Sequence, residues 1–421
     1  MSGPVLTRSP QAPVLIVGGG IGGLTLALSL HEAGISCRVF EAAPRIEPLG
    51  VGINLLPHGM RELTELGLQA RLARVAVETR EVCFYNRFGQ FIFKEPRGRF
   101  AGYDWPQLSI HRADLHEVLL RAVRERLGAD SVALGMKFAS VEKEHHGITA
   151  KFESGAAIHG SCVVGCDGIH SAVRRMLFPN EGPPAYQGIN MWRGVTRMKP
   201  FLTGASMVLA GWLEAGKMVI YPIRSEFDAE GRQLVNWVAE IQSPRNVMQD
   251  WNLGGKLEDF YPTFEDWRFD WLDCAAMIEN AEQILEYPMV DRDPLPWWTR
   301  GRVTLLGDAA HPMYPRGSNG AGQAILDART LAGCLRRNRN VGDALKEYER
   351  IRLKATGDLV LMNRTNPPDS ILREVWKRSG DKPYARIEDV IGNAELVALS
   401  ETYKRVAGFE REALARRESL V

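Results

Sequence analysis

Gly18, Gly20 and Gly23 stand in the spacing G-x-G-x-x-G, and Glu41 follows eighteen residues after the last of them. Glycines so spaced keep a turn clear of side chains, letting the backbone close on a pyrophosphate. A carboxylate at Glu41 can accept from both hydroxyls of an adenosine ribose and would repel a 2′-phosphate. The position therefore favours FAD or NAD over NADP. Two more acids have similar settings: Asp167 after Cys162-Val-Val-Gly-Cys166, and Asp308 after Arg302-Val-Thr-Leu-Leu-Gly307. Asp167 either caps backbone amides, pairs with Arg174 or meets a ligand. Arg112 opens a helix, where a cation gains nothing from the dipole; it either serves an anionic ligand or sits on the surface. Pro315-Arg-Gly317-Ser-Asn319-Gly320-Ala321 is a tight loop entering a helix, and its amides suit an anion or a ring that becomes anionic. Gly50 to Asn54 is either a plain turn or a small-residue loop able to lie against a flat ring.

Elements of matching type must hold these residues. Val14 to Val17 is an apolar, β-branched run, as a strand buried on both faces requires. A helix follows and stops at Ala33-Gly34, and the strand Cys37 to Phe40 delivers Glu41. Ala12 to Leu30 is uncharged and long enough to suggest a membrane span or leader, but five glycines in six positions interrupt it. Helices are expected over Met60 to Leu72, Leu115 to Leu127 and Ala321 to Leu335, with strands near Val132 to Leu134 and Thr149 to Phe152. Between 181 and 300 the texture changes to strand-like runs joined by glycine and proline turns. Eight of the ten tryptophans lie between 192 and 298. Trp192, Tyr221 and Trp237 are candidates to wall a pocket for a flat aromatic substrate, with ordinary core as the alternative.

Length and composition bound the rest. A chain of 421 residues suggests two or three domains. Apolar content of 45% with 24% charged residues is that of a soluble enzyme. A net charge of +1 leaves no field to hold nucleic acid or an anionic membrane. Six scattered cysteines without C-x-x-C or metal spacing point to reduced thiols in a cytoplasm, with no metal and no catalytic disulfide. The expected organisation is a loose tail at 1–12, a discontinuous Rossmann-like α/β cofactor domain at 13–180 and 301–365, and an inserted, mainly antiparallel substrate sheet at 181–300. A helical segment at 366–421 carries no legible motif.

With these residues in view the chain resembles the single-component, FAD-dependent aromatic hydroxylases, the para-hydroxybenzoate and salicylate hydroxylase group. Three fingerprints of that family occur in order: Gly18 to Gly23 with Glu41, Asp167-Gly168, and Gly307-Asp308. The likeness runs from Val14 to Arg364. It leans toward the phenazine hydroxylase branch through Gly50 to Asn54, Met191 to Gly194, Tyr287 to Pro296 and Gly307 to Asp327.

The resemblance implies FAD held by the loop glycines, Gly22 included. It puts Glu41 and Ala42 at the ribose, Leu134 near the adenine, Val51 and Gly52 by the flavin and Arg112 at the pyrophosphate or ribityl side. Asp308 would meet a ribityl hydroxyl, and Asp167 joins the cofactor set without a defined role. Pro315, Gly317, Asn319, Gly320 and Ala321 would border the pyrimidine edge, with Pro315, Gly320 and Ala321 acting through backbone. Salicylate-type members carry a base histidine in the substrate sheet. This chain has no histidine between His170 and His311, so no side-chain base is assigned.

The expected reaction is hydride transfer from a visiting NADH or NADPH to flavin N5. Oxygen then adds at carbon 4a, and an electron-rich aromatic ring is hydroxylated by the resulting hydroperoxide. Phenazine- and benzoate-like substrates fit that chemistry, in a monomer or homodimer. The rival readings are a same-fold reductase or epoxidase of an alkene, a non-catalytic FAD redox sensor, and a plain NAD-dependent dehydrogenase.

Overall fold

A computed structural model of the chain describes residues 12–46, 50–243 and 254–421. The tail expected over 1–12 lies outside the described residues, its last position excepted. Five parallel strands carry the glycine loop, in the order Val303–Leu305, Cys162–Gly165, Val14–Val17, Cys37–Phe40, Val132–Ala133. Every residue of Val14–Val17 is buried. Helix Ile21–Glu32 and its neighbours cover one face of this sheet. A three-stranded antiparallel sheet covers the other, its Phe152 ring centred 4.9 Å from that of Phe40. Parallel strands end on the same side, so Gly18, Glu41, Asp167 and Asp308 emerge along one edge. Open α/β sheets bind ligands at that edge.

A seven-stranded sheet runs Gln283–Asp291, Ala185–Met198, Gln233–Gln242, Lys217–Phe227, Ser206–Gly211, Glu81–Tyr85, Phe91–Pro96. All its neighbours are antiparallel except Ser206–Gly211 with Glu81–Tyr85. The mainly antiparallel sheet expected from residues 181–300 is therefore present, but the hairpin 81–96 completes it from within the stretch assigned to the cofactor domain. A hairpin's apolar alternation is satisfied on any sheet edge, so its pattern alone does not say which sheet it joins.

One expected helix is two. Pro57–Glu65 and Gln69–Val75 flank Gly67, whose φ of +71° ends the first in a left-handed turn. The C-terminal part is helical, with Val341–Thr365, Ser370–Ser379, Asn393–Ala407 and Arg411–Arg416.

Candidate active site

The loop glycines do different work. Gly18 has φ +108°, and a Cβ there would lie 2.4 Å from the Cys166 carbonyl oxygen. A Cβ on Gly23 would lie 2.0 Å from the Gly18 carbonyl oxygen, so only hydrogen lets the helix turn so tightly under the loop. Around Gly20 a Cβ would meet nothing within 4 Å. That open side is where the fold needs its backbone to approach a pyrophosphate. Gly22 rests on the third fingerprint, since a Cβ there would sit 2.9 Å from Leu306 Cδ2.

Glu41 closes the other flank. Its Oε2 accepts from the Gly19 amide at 2.7 Å and its Oε1 from the Ala43 amide at 2.9 Å. Each carboxylate oxygen has a further lone pair for a hydroxyl. Leu134 is beside it, because Glu41 N–H donates to the Ala133 carbonyl at 2.8 Å and Met136 N–H to the Glu41 carbonyl at 2.8 Å. Ala42 lies exposed in the same turn.

Arg112 begins the helix Arg112–Leu127, which crosses the loop and places His116 Nε2 at 2.7 Å from the Gly19 carbonyl. Gly50 lies against the stem of Arg112, a Cβ there falling 3.1 Å from Arg112 Cβ. Among the described residues its exposed guanidinium makes no ion pair, which leaves it available to an anion. Asp308, in the tight turn Gly307–Ala309, opens toward the same cleft with protein close behind it. That enclosure pushes its pKa up, while the charges of His311 and Arg112 act against the rise.

Asp327, unmarked in the sequence reading as a site residue, holds this turn from behind. Buried, it accepts from the Gly307 amide at 3.1 Å, His311 Nε2 at 2.6 Å and Arg352 Nε at 2.6 Å. Burial alone would raise its pKa, but His311 and Arg352 bring it down to about 2. Arg174 adds two bonds, to the Ala309 and Ala310 carbonyls at 3.0 and 2.8 Å.

Asp167 and Arg174 do not pair. Both Asp167 oxygens serve the start of helix Ala172–Leu177, one meeting Ser171 Oγ and the other the Ala172 and Val173 amides at 2.7 and 3.2 Å. Arg174 instead pairs with Glu181. Asp167 thus stands beside Gly18 and caps this helix, with a lone pair left on Oδ1 for a ligand.

In the seven-stranded sheet, alternation separates the three aromatic candidates. Tyr221 faces the cofactor side, its ring so near Gly52 that a Cβ there would lie 2.7 Å from Tyr221 Cε2. Trp192 and Trp237 face the other way, into a core with Phe260 at centroid distances of 5.1 and 5.9 Å. Neither lines the cleft; their side chains fall on the opposite pleat from Tyr221. Arg193 and Asn236, one residue away from those tryptophans, turn inward. Asn236 Oδ1 accepts from the Gly52 amide at 2.7 Å, and Arg193 donates to the Gly52 carbonyl at 2.7 Å. Both backbone groups of Gly52 are therefore held by the sheet, and Val51 is buried against it. The signal for Arg193 was its place in Met191 to Gly194; Asn236 had none.

The loop at 315–321 lies alongside. Pro315 is exposed and has no N–H, Gly317 has φ +74°, and Asn54 Nδ2 donates to Ser318 Oγ at 3.4 Å. Helix Gly320–Arg337 begins without a side-chain cap from Asn319, so its first amides, at Gly320 and Ala321 among them, remain free for a ligand. Gly320 is beside Asp308, a Cβ there falling 3.9 Å from Asp308 Oδ1.

These features fit FAD. The open approach at Gly20, an acid at one end fit for a ribose, an arginine without an ion pair among the described residues and a second acid beside a bare helix N-terminus match its parts in order.

Comparison with known proteins agrees. The chain matches the family described as FAD binding domain over residues 11–251 and 288–362. It is 41% identical over 414 residues to the phenazine 1,6-dicarboxylic acid hydroxylase PhzS of Lysobacter antibioticus, spanning 95% of this chain and 98% of that protein. A 3-amino-4-hydroxybenzoate 2-monooxygenase of Streptomyces cremeus is 35% identical, over 82% of this chain and 84% of its own. In fold the chain is similar to Klebsiella pneumoniae HpxO solved with FAD and uric acid, with TM-score 0.74, 22% identity and coverage of 98% and 99%. Cleft and comparisons together place this chain in the FAD binding domain family, among its flavin-dependent aromatic monooxygenases.

Proposed function

We propose that the chain hydroxylates a planar aromatic or N-heteroaromatic acid of phenazine or benzoate type, with NADH or NADPH as a visiting donor and O2 as co-substrate. The observation that carries this is the meeting of Glu41, Arg112 and Asp308 around one glycine loop, beneath a sheet face that presents Tyr221. Relatives named for phenazine and aminohydroxybenzoate substrates support the chemical class.

Bound FAD supplies hydride acceptance and oxygen activation. The chain's own residues do the rest. Glu41 holds the adenosine hydroxyls, Arg112 neutralises phosphate charge, and Asp308 orients the ribityl chain. The free amides of Gly320 and Ala321 stabilise negative charge on the pyrimidine edge, while Pro315 shapes the approach without adding a donor. The sheet grips Gly52 through Asn236 and Arg193, so the loop bearing Val51 stays pressed toward the ring and water stays out.

In this reading residues 13–180 and 301–365 serve the cofactor and 181–300 the substrate, with the 81–96 hairpin crossing between them. Among the described residues no helix is long and apolar enough to cross a membrane. The six cysteines are all unpaired, as thiols of a reducing cytoplasm are, and the working form in this reading is a monomer or homodimer.

The test is purification, a check for flavin colour, and a panel of phenazine, quinoline and benzoate acids scored by product formed per NAD(P)H consumed. Substrate-stimulated NAD(P)H oxidation with matching hydroxylated product is the expected result. A colourless protein indifferent to FAD, or flavin with no aromatic stimulation, sinks the proposal.

A further inference from the structure

The C-terminal segment carried no motif, yet one of its side chains reaches the loop that enters helix Gly320–Arg337. Tyr403, on helix Asn393–Ala407, is buried, and its Oη is a junction. Asn319 Nδ2 donates to it at 2.9 Å; Asn363 Oδ1 lies 2.8 Å away and the Arg316 carbonyl 3.4 Å. The phenol has one proton, and the shorter contact assigns it to Asn363. Asn319 Nδ2 also donates to the Gly317 carbonyl at 3.0 Å, and Asn363 Nδ2 to the Tyr314 carbonyl at 3.2 Å. Two asparagines therefore hold the carbonyls of residues 314 and 317, and the one phenol joins the two asparagines to each other.

Steric contact adds to this network. At Gly317 a Cβ would lie 2.0 Å from Tyr403 Oη, so the phenol fills the side-chain space of the turn. Ser318 follows at φ +56°, a left-handed conformation that a non-glycine residue keeps only where its surroundings impose it. The end of the same helix takes a further bond, Gln323 Nε2 donating to the Ala407 carbonyl at 3.2 Å.

We propose that Tyr403 is a positioning residue for the flavin. It sets the height of the 314–319 loop and so aims the bare amides of the following helix at the ring. The inference rests on the reading that this loop borders the isoalloxazine. The phenol touches neither cofactor nor substrate and acts through the loop; slack there admits water and diverts reducing equivalents to hydrogen peroxide.

The test uses full-length holoenzyme with Tyr403→Phe, which keeps the ring and removes the hydroxyl. Asn363→Ala serves as an independent break in the same network, should the first variant not fold. Tyr384→Phe is the control, because its buried hydroxyl has no hydrogen bond among the described residues. The readouts are FAD affinity by fluorescence titration, the absorption spectrum of bound flavin, and peroxide formed per NAD(P)H. Tyr403→Phe should weaken FAD binding about fivefold, the effect of one neutral hydrogen bond. It should also shift the flavin band and raise peroxide yield, with Asn363→Ala moving the same way and Tyr384→Phe unchanged. Wild-type affinity, spectrum and peroxide yield in either network variant overturn the proposal, however far its Tm falls. Gly320→Val separates the underlying reading. If it alone perturbs the flavin spectrum, Tyr403 is merely structural. If it too leaves the spectrum unchanged, the loop does not border the ring.

Discussion

The cofactor edge and the seven-stranded sheet answer differently to the same kind of residue choice. At the edge, Gly18, Gly20 and Glu41 stand out by spacing, Arg112 by its helix start and Asp308 by its strand end, and all five lie along the one edge where the cofactor cleft is proposed. In the sheet, Trp192, Tyr221 and Trp237 were selected by type, and only Tyr221 faces that cleft. A strand–turn–helix unit carries its geometry within some thirty residues. A strand's facing depends on partners far along the chain, and a shift of one residue reverses it.

Both halves pair the charges they bury, Asp327 with Arg352 at 2.6 Å in the cofactor half, but that half also buries a neutral ring without a partner among the described residues. The sheet buries Lys217 with a partner, Glu240 at 2.9 Å. The cofactor half buries His58 with neither ring nitrogen hydrogen-bonded among the described residues, its ring stacked 5.4 Å from that of Phe409. Burial, with Arg417 and Arg352 nearby, lowers the His58 pKa to about 3.

The largest effect that would sharpen this contrast is Trp237→Ala. Loss of a fully buried indole that donates to Thr196 Oγ1 at 3.0 Å should cost about 3–5 kcal/mol of stability. Denaturant unfolding measures that, while the folded fraction keeps its substrate KM. A KM rise without lost stability would put Trp237 back at the cleft.

Next in size is acid sensitivity. His58 has a folded pKa of about 3 against an ordinary 6.5, so the unfolded chain binds more protons between those values. Its contribution is complete above about pH 6.5 and declines toward about pH 3, reaching roughly 2–3 kcal/mol of loss near pH 4.5. His58→Gln should flatten that part of a Tm-against-pH curve; an unchanged slope would locate the acid-sensitive group elsewhere.

Glu41→Arg removes the ribose acceptor and leaves the Gly19 amide without its partner, so FAD affinity should fall by about 100-fold or more in a titration. Unchanged affinity would separate Glu41 from the cofactor. Asp308→Ala should weaken FAD by about tenfold, read as flavin lost on gel filtration; full retention removes Asp308 from the site. Tyr221→Phe is the smallest, within about 1 kcal/mol of stability. Its expected mark is a changed kcat/KM for the preferred aromatic, and none at all would leave the sheet's inward face without a part in the reaction.

Much of the cofactor site was legible because its signals are local. Glycines whose missing Cβ atoms would collide at 2.0 to 2.4 Å leave no other residue type possible there, and the following acid is placed by a strand of four residues. Asp167 was legible as an element and not as a role, since cap and ligand use the same carboxylate. Asn236 and Tyr403 were silent, each acting on a backbone group or loop far from it in the chain, while Asp327 was marked only as the end of the stretch Gly307 to Asp327 and not by role.

Sequence alone determined the order of strand, glycine turn and acid, and with it a dinucleotide site for FAD or NAD, because backbone sterics act between adjacent residues. Tertiary structure alone decided which sheet took the 81–96 hairpin, which pleat each aromatic falls on, and that a C-terminal phenol braces the 314–319 loop. Those outcomes turn on pleat parity and on contacts across dozens of residues, where many partners of similar apolarity compete and only the assembled packing selects one.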